Sequence, residues 1–388
     1  MKKLLPVIFT IIISAQMNAQ IVNIPDANFK AYLVGNVSIN TNMDTEIQLS
    51  EATAFTGQIN CPSLGILDLT GIEAFTSLTE LYCYTNQLTA LDVSNNTLLT
   101  NLDCGDNVLT TLDVSSNTAL TDLNCKWNQL TTLDVSNNAL LTYLDCGGNV
   151  LTSVDVSTAS ITNLLCPNNQ LTSLDVSSNT ALSYLNCQTN QLTTLDLSNN
   201  TALITLNCMF NQLTALNNMS GTVTILQATY NQLTSIDVSN NTALTVLGGG
   251  DNLLISLNVK NGNNTNMSNG FFATNNNPGL TCIEVDNAAY STVNWTYIDA
   301  SASFSEDCNA GIENNELVAV SIYPNPTSDI LNVNSLEKVE NIRVYNELGE
   351  MILNTNQTQF SVYTFSPGLY IVEIKTDSMI TYKKFIKQ

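Results

Sequence analysis

The chain has 388 residues, of which 44% are hydrophobic and 11% are charged, and it contains no histidine. Its formal net charge is −22, and residues 20–308 carry 24 acidic residues against three lysines. A surface of this sign repels phosphate backbones, so nucleic acid is a poor candidate partner. Without histidine the usual general base near neutral pH is missing, and Ser-His-Asp and Cys-His arrangements are excluded, so we expect a protein that is not an enzyme.

Residues 1–19 have the pattern of a secretory signal peptide. Two lysines precede an apolar run at residues 4–13, and Ala19 is the predicted last residue before cleavage. The run is too short for a comfortable membrane span, and no other stretch approaches the ~20 apolar residues that a span needs. We therefore expect a mature chain that begins near Gln20, outside the cytoplasm, and does not span a membrane. An uncleaved anchor is the alternative.

Residues 20–57 are predicted to form a small helical cap that contains an EF-hand-like loop, NTNMDTEIQLSE, at positions 40–51. Hard cations such as calcium favour oxygen ligands, and this loop has them at EF-hand spacing. Two departures weaken the match, because Asn replaces the usual first Asp and Thr45 replaces the glycine of the sharp turn. The alternative is a degenerate loop without metal. Calcium is the one cofactor that the sequence suggests, and its candidate ligands are Asn40, Asn42, Asp44, Glu46 through its backbone, and Glu51.

A repeat of 21 residues organises residues 58–285. Its consensus, LTxLxCxxNQLTxLDVSNNTA, contains the pattern L-x-x-L-x-C-x-x-N-x-L. The middle of the chain thereby resembles the bacterial leucine-rich-repeat proteins and is internalin-like in its period. The resemblance implies a mainly β solenoid, here of about 11 coils, and a role in binding. The repeated cysteines are Cys83, Cys104, Cys125, Cys146, Cys166, Cys187 and Cys208.

Alternation in L-x-C sends the leucine and the cysteine into the core and the residues between and beside them outward. The cysteine column ends in Ala228 and Gly249, which favours core packing over a metal ladder, with disulfides between neighbouring coils as the alternative. We expect the asparagine three positions after each cysteine to satisfy backbone groups at the turns between coils. These asparagines are Asn86, Asn107, Asn128, Asn149, Asn169, Asn190, Asn211, Asn231 and Asn252.

The exposed positions around L-x-C vary from coil to coil, whereas the D-V-S-N-N side barely changes. Single aromatic residues among Asn and Asp are typical of protein interfaces. We therefore expect a face that binds a protein or a surface glycan in adhesion. The alternatives are drift on an unused surface in a passive structural or matrix role, and ice binding through a threonine column. The predicted face comprises Tyr82, Tyr84, Asp103, Trp127, Tyr143, Asp145, Tyr184, Phe210 and Tyr230.

Cys282 and Cys308 lie outside the repeat period, in and beside a segment at 286–308 that is predicted to cap the end of the solenoid. Exported proteins keep disulfides, and this pair stands where a cap would need a covalent tie. The sequence therefore predicts a Cys282–Cys308 disulfide.

A linker at 309–320 leads to residues 321–388, where apolar runs alternate with Pro, Gly and Asn signals. This pattern predicts a small antiparallel β-sandwich of immunoglobulin-like type. Four short motifs resemble those of the C-terminal sorting domain of the type IX secretion system of Bacteroidota. The resemblance implies export by that machinery to the outer cell surface or the medium. The motif residues are Tyr323, Pro324, Asn325, Pro326, Gly349, Pro367, Gly368, Lys383 and Lys384.

Overall fold

The computed structural model describes residues 20–216, 219–267, 269–308, 320–377 and 380–388. The chain forms two compact units, Met1–Cys308 and Asn309–Gln388, and each is described here by itself. The predicted signal peptide and nearly all of the predicted linker lie outside the described residues. No helix in the described part of the chain is long and apolar enough to cross a membrane.

The first unit begins with a helical cap. Helix α1 spans Ala27–Val34, and its N-terminus is capped by Asp26, whose side chain accepts hydrogen bonds from two backbone N–H groups. Helix α2 spans Leu49–Ala54 and begins with a capping box. Phe29 and Leu33 of α1 are fully buried, so this helix covers the open end of the repeat core.

Short strands continue the first unit, each a few residues long. Three 3-10 helices, Ile72–Ala74, Asn264–Asn266 and Asn269–Phe271, lie among them, and helix α3 spans Ala288–Asn294. In chain order the strands are β1 Gly57–Asn60, β2 Leu78–Tyr82, β3 Asn101–Asp103, β4 Asp122–Asn124, β5 Tyr143–Asp145, β6 Asn163–Leu165, β7 Tyr184–Asn186, β8 Thr205–Asn207, β9 Ile225–Gln227, β10 Ser235–Asp237, β11 Val246–Gly248, β12 Ser256–Asn258, β13 Phe272–Ala273, β14 Cys282–Glu284 and β15 Ser303–Ser305.

These strands form two parallel sheets. The main sheet has 11 strands in the order β1 to β9, then β11 and β13, so that each coil adds one strand beside its predecessor. The second sheet, β10-β12-β14-β15, forms on the D-V-S-N-N side near the end of the unit. The predicted cap at 286–308 thus adds one more strand to the second sheet through β15. The predicted mainly β leucine-rich-repeat solenoid is confirmed.

The register explains the continuous core. Leu81, Leu102, Leu123 and Leu144 pair in succession across β2 to β5 and are at most 2% exposed. Burying a leucine side chain contributes about 1.5–3 kcal/mol to stability. A single coil has no second apolar surface against which its leucines could be buried. Each coil is therefore stabilised by the coils on either side of it.

The cysteine column lies in this core. Eight cysteines are free thiols and fully buried: Cys61, Cys83, Cys104, Cys125, Cys146, Cys166, Cys187 and Cys208. Burial raises the pKa of the Cys146 and Cys187 thiols to about 12. Among the described residues, no group of three or more acidic or cysteine side chains is arranged to hold a metal ion. The column therefore acts as small apolar core residues.

The asparagine after each cysteine ties one coil to the next. The Asn128 Nδ2 donates to the carbonyl oxygens of Cys104 and Cys125, each at 3.1 Å, and its Oδ1 accepts from the Leu109 N–H at 2.9 Å. Equivalent bonds are made by Asn86, Asn107, Asn149, Asn169, Asn190, Asn211, Asn231 and Asn252. One amide side chain thus satisfies backbone groups of two coils.

A second asparagine ladder runs through the D-V-S-N-N side and was not predicted. The Asn117 Nδ2 donates to the carbonyl oxygens of Val93 and Asn96 in the preceding coil, at 3.0 and 2.9 Å. The Asn117 Oδ1 is buried and has no hydrogen-bond partner. The same geometry recurs at Asn96, Asn138, Asn179 and Asn200, while Ala159 takes this place in one coil. The near-invariance of D-V-S-N-N was the signal that could have revealed it.

The end of the solenoid is closed by aromatic residues and a disulfide. The fully buried Trp295 stacks on Phe272 with ring centroids 4.1 Å apart, and its Nε1 donates to the Met267 carbonyl oxygen. Cys282 and Cys308 form a disulfide with a Cα–Cα distance of 5.7 Å. The last core layer is thereby covered by side chains and tied to the end of the unit.

The second unit is a small antiparallel β-sandwich, as predicted. One sheet has the order β16-β17-β20 and the other β19-β18-β21-β22. Their inward side chains, among them Leu331, Val344 and Phe385, form a core separate from that of the solenoid. The strands are β16 Ser321–Tyr323, β17 Ile330–Asn334, β18 Val339–Tyr345, β19 Met351–Thr355, β20 Gln359–Ser361, β21 Gly368–Thr376 and β22 Ile380–Lys387.

Candidate binding face

Each strand of the main sheet turns one side chain inward and the two beside it outward. In β5, for example, Tyr143 and Asp145 flank the buried Leu144. The outward residues of β1 to β9, β11 and β13, with the two turn residues that follow each cysteine position, form what we call the strand face. All nine residues of the predicted binding face belong to it, because they occupy these repeat positions.

The predicted residues differ in how much surface they offer. Tyr84, Trp127, Phe210 and Tyr230 are between 36% and 53% exposed. Half-buried positions on the strands are occupied by Tyr82, Asp103, Tyr143 and Tyr184. Asp145 is a correction to the prediction, because it is only 7% exposed and one of its carboxylate oxygens accepts the Gly147 N–H. Alternation placed it on the outer side of the sheet without revealing that neighbours cover it.

The turn residue two positions after each cysteine has a left-handed backbone. Its φ lies between 51° and 64° in all ten coils from Ser63 to Asp251, and a further turn at Asn276 has φ 61°. Only Gly, and less readily Asn and Asp, adopt this region at little cost. The residues at these turns are Ser63, Thr85, Asp106, Trp127, Gly148, Asn168, Thr189, Phe210, Tyr230, Asp251 and Asn276. Three of these turns therefore carry exposed aromatic side chains where the backbone favours small ones.

The three turn aromatics are packed along the edge of the strand face. The Phe210 and Tyr230 rings stack with centroids 4.5 Å apart and an interplanar angle of 14°. The Trp127 ring lies over the next turn, where a Cβ added to Gly148 would overlap the Trp127 Cε3. Glycine is therefore the residue that fits beneath this ring, and it adopts the positive φ of the turn at little cost.

A trough of about 250 Å³ opens on the same face between β2 and β5. Tyr82 and Tyr143 stand at its two ends, because they lie three strands apart. Polar side chains of β3 and β4 lie between them, and the lining residues are Tyr82, Asn101, Leu102, Asp103, Asp122, Asn124 and Tyr143. Volumes of about 300–1,000 Å³ are typical of drug-sized ligand sites, so this trough fits a single side chain better.

The trough has a negative potential. Burial first, and then the carboxylates of Glu80, Asp122 and Asp103, raise the pKa of the Tyr82 hydroxyl to about 12. The pKa of Asp103 is also raised, chiefly by burial, although Lys126 acts in the opposite direction. Elsewhere on the strand face, β6 to β9 carry no acidic outward residue. The outward acidic residues of the strands are thus concentrated at the N-terminal end, whereas exposed aromatic residues also occur further along, at Phe210 and Tyr230.

In the predicted calcium loop, side-chain oxygens of Asn42, Asp44, Glu46 and Glu51 accept from protein donors, whereas the Asn40 Oδ1 is buried and has no hydrogen-bond partner. One Glu51 carboxylate oxygen accepts from the backbone N–H groups of Thr41 and Asn42, and the other accepts from Gln48. Glu46 pairs with Lys30 at 2.7 Å. The remaining predicted ligands bond within the loop, where the Asn40 Nδ2 donates to the Asp44 carbonyl oxygen and the Asn42 Nδ2 donates to the Asp44 carboxylate. These contacts are those of a loop closed by its own side chains.

The sorting motifs of the second unit come together in pairs. The Asn325 side chain donates to the Lys384 carbonyl oxygen and accepts from the Ile386 N–H, which ties the Tyr323–Pro326 motif to the basic last strand. Gly349, with φ 79°, ends a turn in which Glu347 accepts from the Leu369 N–H, so this loop meets the Pro367-Gly368 loop. Pro324 and Pro326 follow cis peptide bonds, and the Lys383 side chain lies on the same strand as Lys384.

The fold and its face define a class: a leucine-rich-repeat solenoid followed by a separate β-sandwich. For the sandwich, a family model described as the secretion system C-terminal sorting domain matches residues 321–388. The last unit is therefore a sorting domain of the type IX kind that its motifs predicted, and it indicates export to the cell surface or the extracellular space.

For the solenoid, internalins are among the similar proteins. Internalin J of Listeria monocytogenes serotype 4b (strain F2365) is 42% identical over 74 residues, which are 19% of this chain and 8% of Internalin J. The solved functional domain of InlJ from Listeria monocytogenes, described as including a cysteine ladder, gives a TM-score of 0.59 at 25% identity and covers 95% of this chain and 100% of that one.

A second internalin, InlF from Listeria monocytogenes strain 4b F2365, gives a TM-score of 0.52 at 23% identity, covering 74% of this chain and 96% of that one. The predicted recognition is thus confirmed: this is an internalin-like leucine-rich-repeat protein with a type IX sorting domain. A fold of this kind is typical of protein–protein binding.

Proposed function

We propose that the solenoid is a non-catalytic adhesion module that is displayed outside the cell and binds a protein partner through its strand face. The observation that carries this proposal is the exposure of Trp127, Phe210 and Tyr230 on left-handed turns. A bulky residue in this backbone region costs on the order of 1 kcal/mol, and five of the other turns avoid the cost with Gly, Asn or Asp. Scaffold stability therefore gives no reason for these three residues, whereas aromatic anchors of an interface do.

The three aromatics can be removed without disturbing the turns. Asn occupies the same turn position at Asn168 and Asn276, so the variant W127N/F210N/Y230N should keep the fold. Beads coated with the full-length protein would be applied to surfaces coated with extracellular-matrix proteins, serum albumin or polysaccharide. We expect wild-type beads to adhere to a protein coating and the variant beads to lose most of that adhesion.

The control changes three turns of the same column that carry no aromatic residue, S63N/T85N/T189N. These beads should adhere as the wild type does, because the substituted side chains are small and the backbone is unchanged. Equal adhesion of the aromatic variant and the control would remove the turn aromatics from the binding face. Absence of adhesion to every coating would favour a passive structural role on the cell surface.

A further inference from the structure

We propose that the trough between Tyr82 and Tyr143 binds a basic side chain, arginine or lysine, of the protein partner. This inference rests on the proposed function and adds the chemistry of the partner to it. The trough combines aromatic walls at both ends with the carboxylates of Asp103 and Asp122 between them. Aromatic faces and carboxylates are the two groups that recognise a guanidinium or an ammonium ion.

In the described part of the chain neither Asp103 nor Asp122 forms a salt bridge, and Lys126 acts on Asp103 only at longer range. The ion pairs present in the described part of the chain are Lys30–Glu46 in the helical cap, and Arg343–Glu373 and Lys375–Glu340 within the second unit. The contacts of Asp103 and Asp122 are instead hydrogen bonds from neutral donors, which are weaker than ion pairs. Asp103 accepts from the Gly105 N–H and the Asn124 Nδ2, and Asp122 accepts from the Thr121 hydroxyl.

The charge of the whole unit favours the same occupant. Residues 20–308 contain 24 acidic residues and three lysines, so a basic partner would be attracted over long range. The trough adds a local site to this diffuse attraction. Its volume of about 250 Å³ and its position between four neighbouring strands suit one extended side chain that enters from solvent.

The repeats themselves show that the trough can be neutralised without loss of the fold. Asn124 and Asn186 occupy the repeat position of Asp103, and Asn163 occupies the position of Asp122. In that last position the bond from the preceding threonine hydroxyl is kept, because Thr162 donates to Asn163 as Thr121 donates to Asp122. The variant D103N/D122N therefore places residues where neighbouring coils already hold them.

The test uses a fluorescein-labelled tetra-arginine peptide and a tetra-citrulline peptide, which has nearly the same shape without the charge. Binding to the full-length protein would be followed by fluorescence polarisation. We expect the arginine peptide to bind, the citrulline peptide to bind at least about tenfold more weakly, and D103N/D122N to weaken arginine binding by about tenfold, which corresponds to about 1.4 kcal/mol.

The matched control is D175N/D196N. It removes the same charge from exposed aspartates of the D-V-S-N-N side, and Asn keeps the acceptor for the Ser177 and Ser198 N–H groups. Diffuse attraction would be weakened equally by both variants, whereas a site in the trough is weakened only by the first. Equal effects of the two variants, or equal binding of the two peptides, would overturn the proposal.

A second pair of variants tests the aromatic wall. Tyr143→Asn removes one end of the trough, while Tyr184→Asn removes the tyrosine at the same repeat position two strands further on, outside the trough. We expect only the first to weaken peptide binding by severalfold, and no difference between them would count against the trough. The bead assay depends on the turn aromatics and the peptide assay on the trough. Failure of wild-type beads to adhere to any protein coating would therefore count against the proposed function without changing the peptide result, and failure of the peptide to bind would overturn the trough without changing the bead result.

Discussion

At the scale of single residues, the turns expose aromatic side chains at positions where a smaller residue would make the backbone more stable. Asn168, Gly148 and Asp251 suit the left-handed backbone, whereas Trp127 and Phe210 do not. The core residues show no such conflict, since each leucine and cysteine column is buried in the register that alternation requires. The turn aromatics, which combine this backbone cost with exposed apolar surface, are therefore the best indicators of function in this repeat.

The buried thiols lead to the first prediction at this scale. Burial raises the pKa of thiols such as Cys187 from an ordinary 9.0 to about 12, so in the native protein they stay protonated and out of reach of reagents. At about pH 9 we expect iodoacetamide to modify none of the cysteines in the folded full-length protein. Mass spectrometry after urea denaturation should then find eight modified cysteines, and ten when a reductant is added.

The pH dependence has a definite sign. A thiol whose pKa is raised on folding keeps its proton when the unfolded chain loses it, so the unfolded state binds fewer protons above about pH 9 and stability falls as pH rises through that range. As the pH is raised, the buried cysteine thiols should therefore become accessible to iodoacetamide only where alkali unfolds the solenoid. Labelling of the native protein at neutral pH, or fewer than eight labels after denaturation without reductant, would contradict free, buried thiols.

At the scale of the coil, the two asparagine ladders differ in what they satisfy. Asn128 donates to backbone carbonyls and also accepts the buried Leu109 N–H, whereas Asn117 only donates. The second ladder tolerates Ala159 at one coil, and the first is complete from Asn86 to Asn252. A buried N–H left without an acceptor costs more than a carbonyl that loses one of its donors.

We therefore predict that Asn128→Ala lowers the free energy of unfolding by about 3 kcal/mol and Asn117→Ala by about 1 kcal/mol. The difference arises because only the first variant leaves a buried N–H unpaired, while the second also removes the unpartnered Asn117 Oδ1. Urea denaturation followed by circular dichroism measures both. Each substitution removes the same atoms in a neighbouring coil, so each serves as the control for the other. Equal losses would show that the N–H is not the deciding group.

Much of the coil could be predicted from the sequence, because a 21-residue period with L-x-C alternation determines which side chains face the core. The first asparagine ladder and the outward position of Tyr143 follow from that pattern. The trough does not, since it depends on the register of four strands and on how Tyr82 and Tyr143 frame the shorter residues between them. Nor does the burial of Asp145, which neighbouring side chains and not its own strand determine.

At the scale of the whole molecule, the two units have separate cores and different charges. The first unit carries nearly all of the net negative charge, while residues 309–388 have nine acidic residues against six basic ones. Among the described residues, the solenoid core and the sandwich core have no buried residue in common. The structure thus combines a strongly acidic repeat surface with a nearly neutral sorting domain whose last strand is basic.

This division predicts that export and folding of the solenoid can be separated. Removal of residues 321–388 should leave the thermal unfolding of the solenoid unchanged, because none of its core residues is lost. The truncated protein should remain inside the cell, in a host that has this secretion machinery, while the full chain appears outside. Immunoblots of cells and medium, with protease treatment of intact cells, measure the exported fraction.

A point variant tests whether the tie between the sorting motifs matters for export. Asn325→Ala removes the bonds to the Lys384 carbonyl oxygen and from the Ile386 N–H, which should cost the sandwich about 1–3 kcal/mol and loosen the basic last strand. We expect a lower exported fraction than for Asn354→Ala, which changes an exposed asparagine of β19. If both variants are exported as the full chain is, the tie is dispensable. If the chain without residues 321–388 also reaches the medium, the signal that the secretion machinery recognises must lie outside the sandwich.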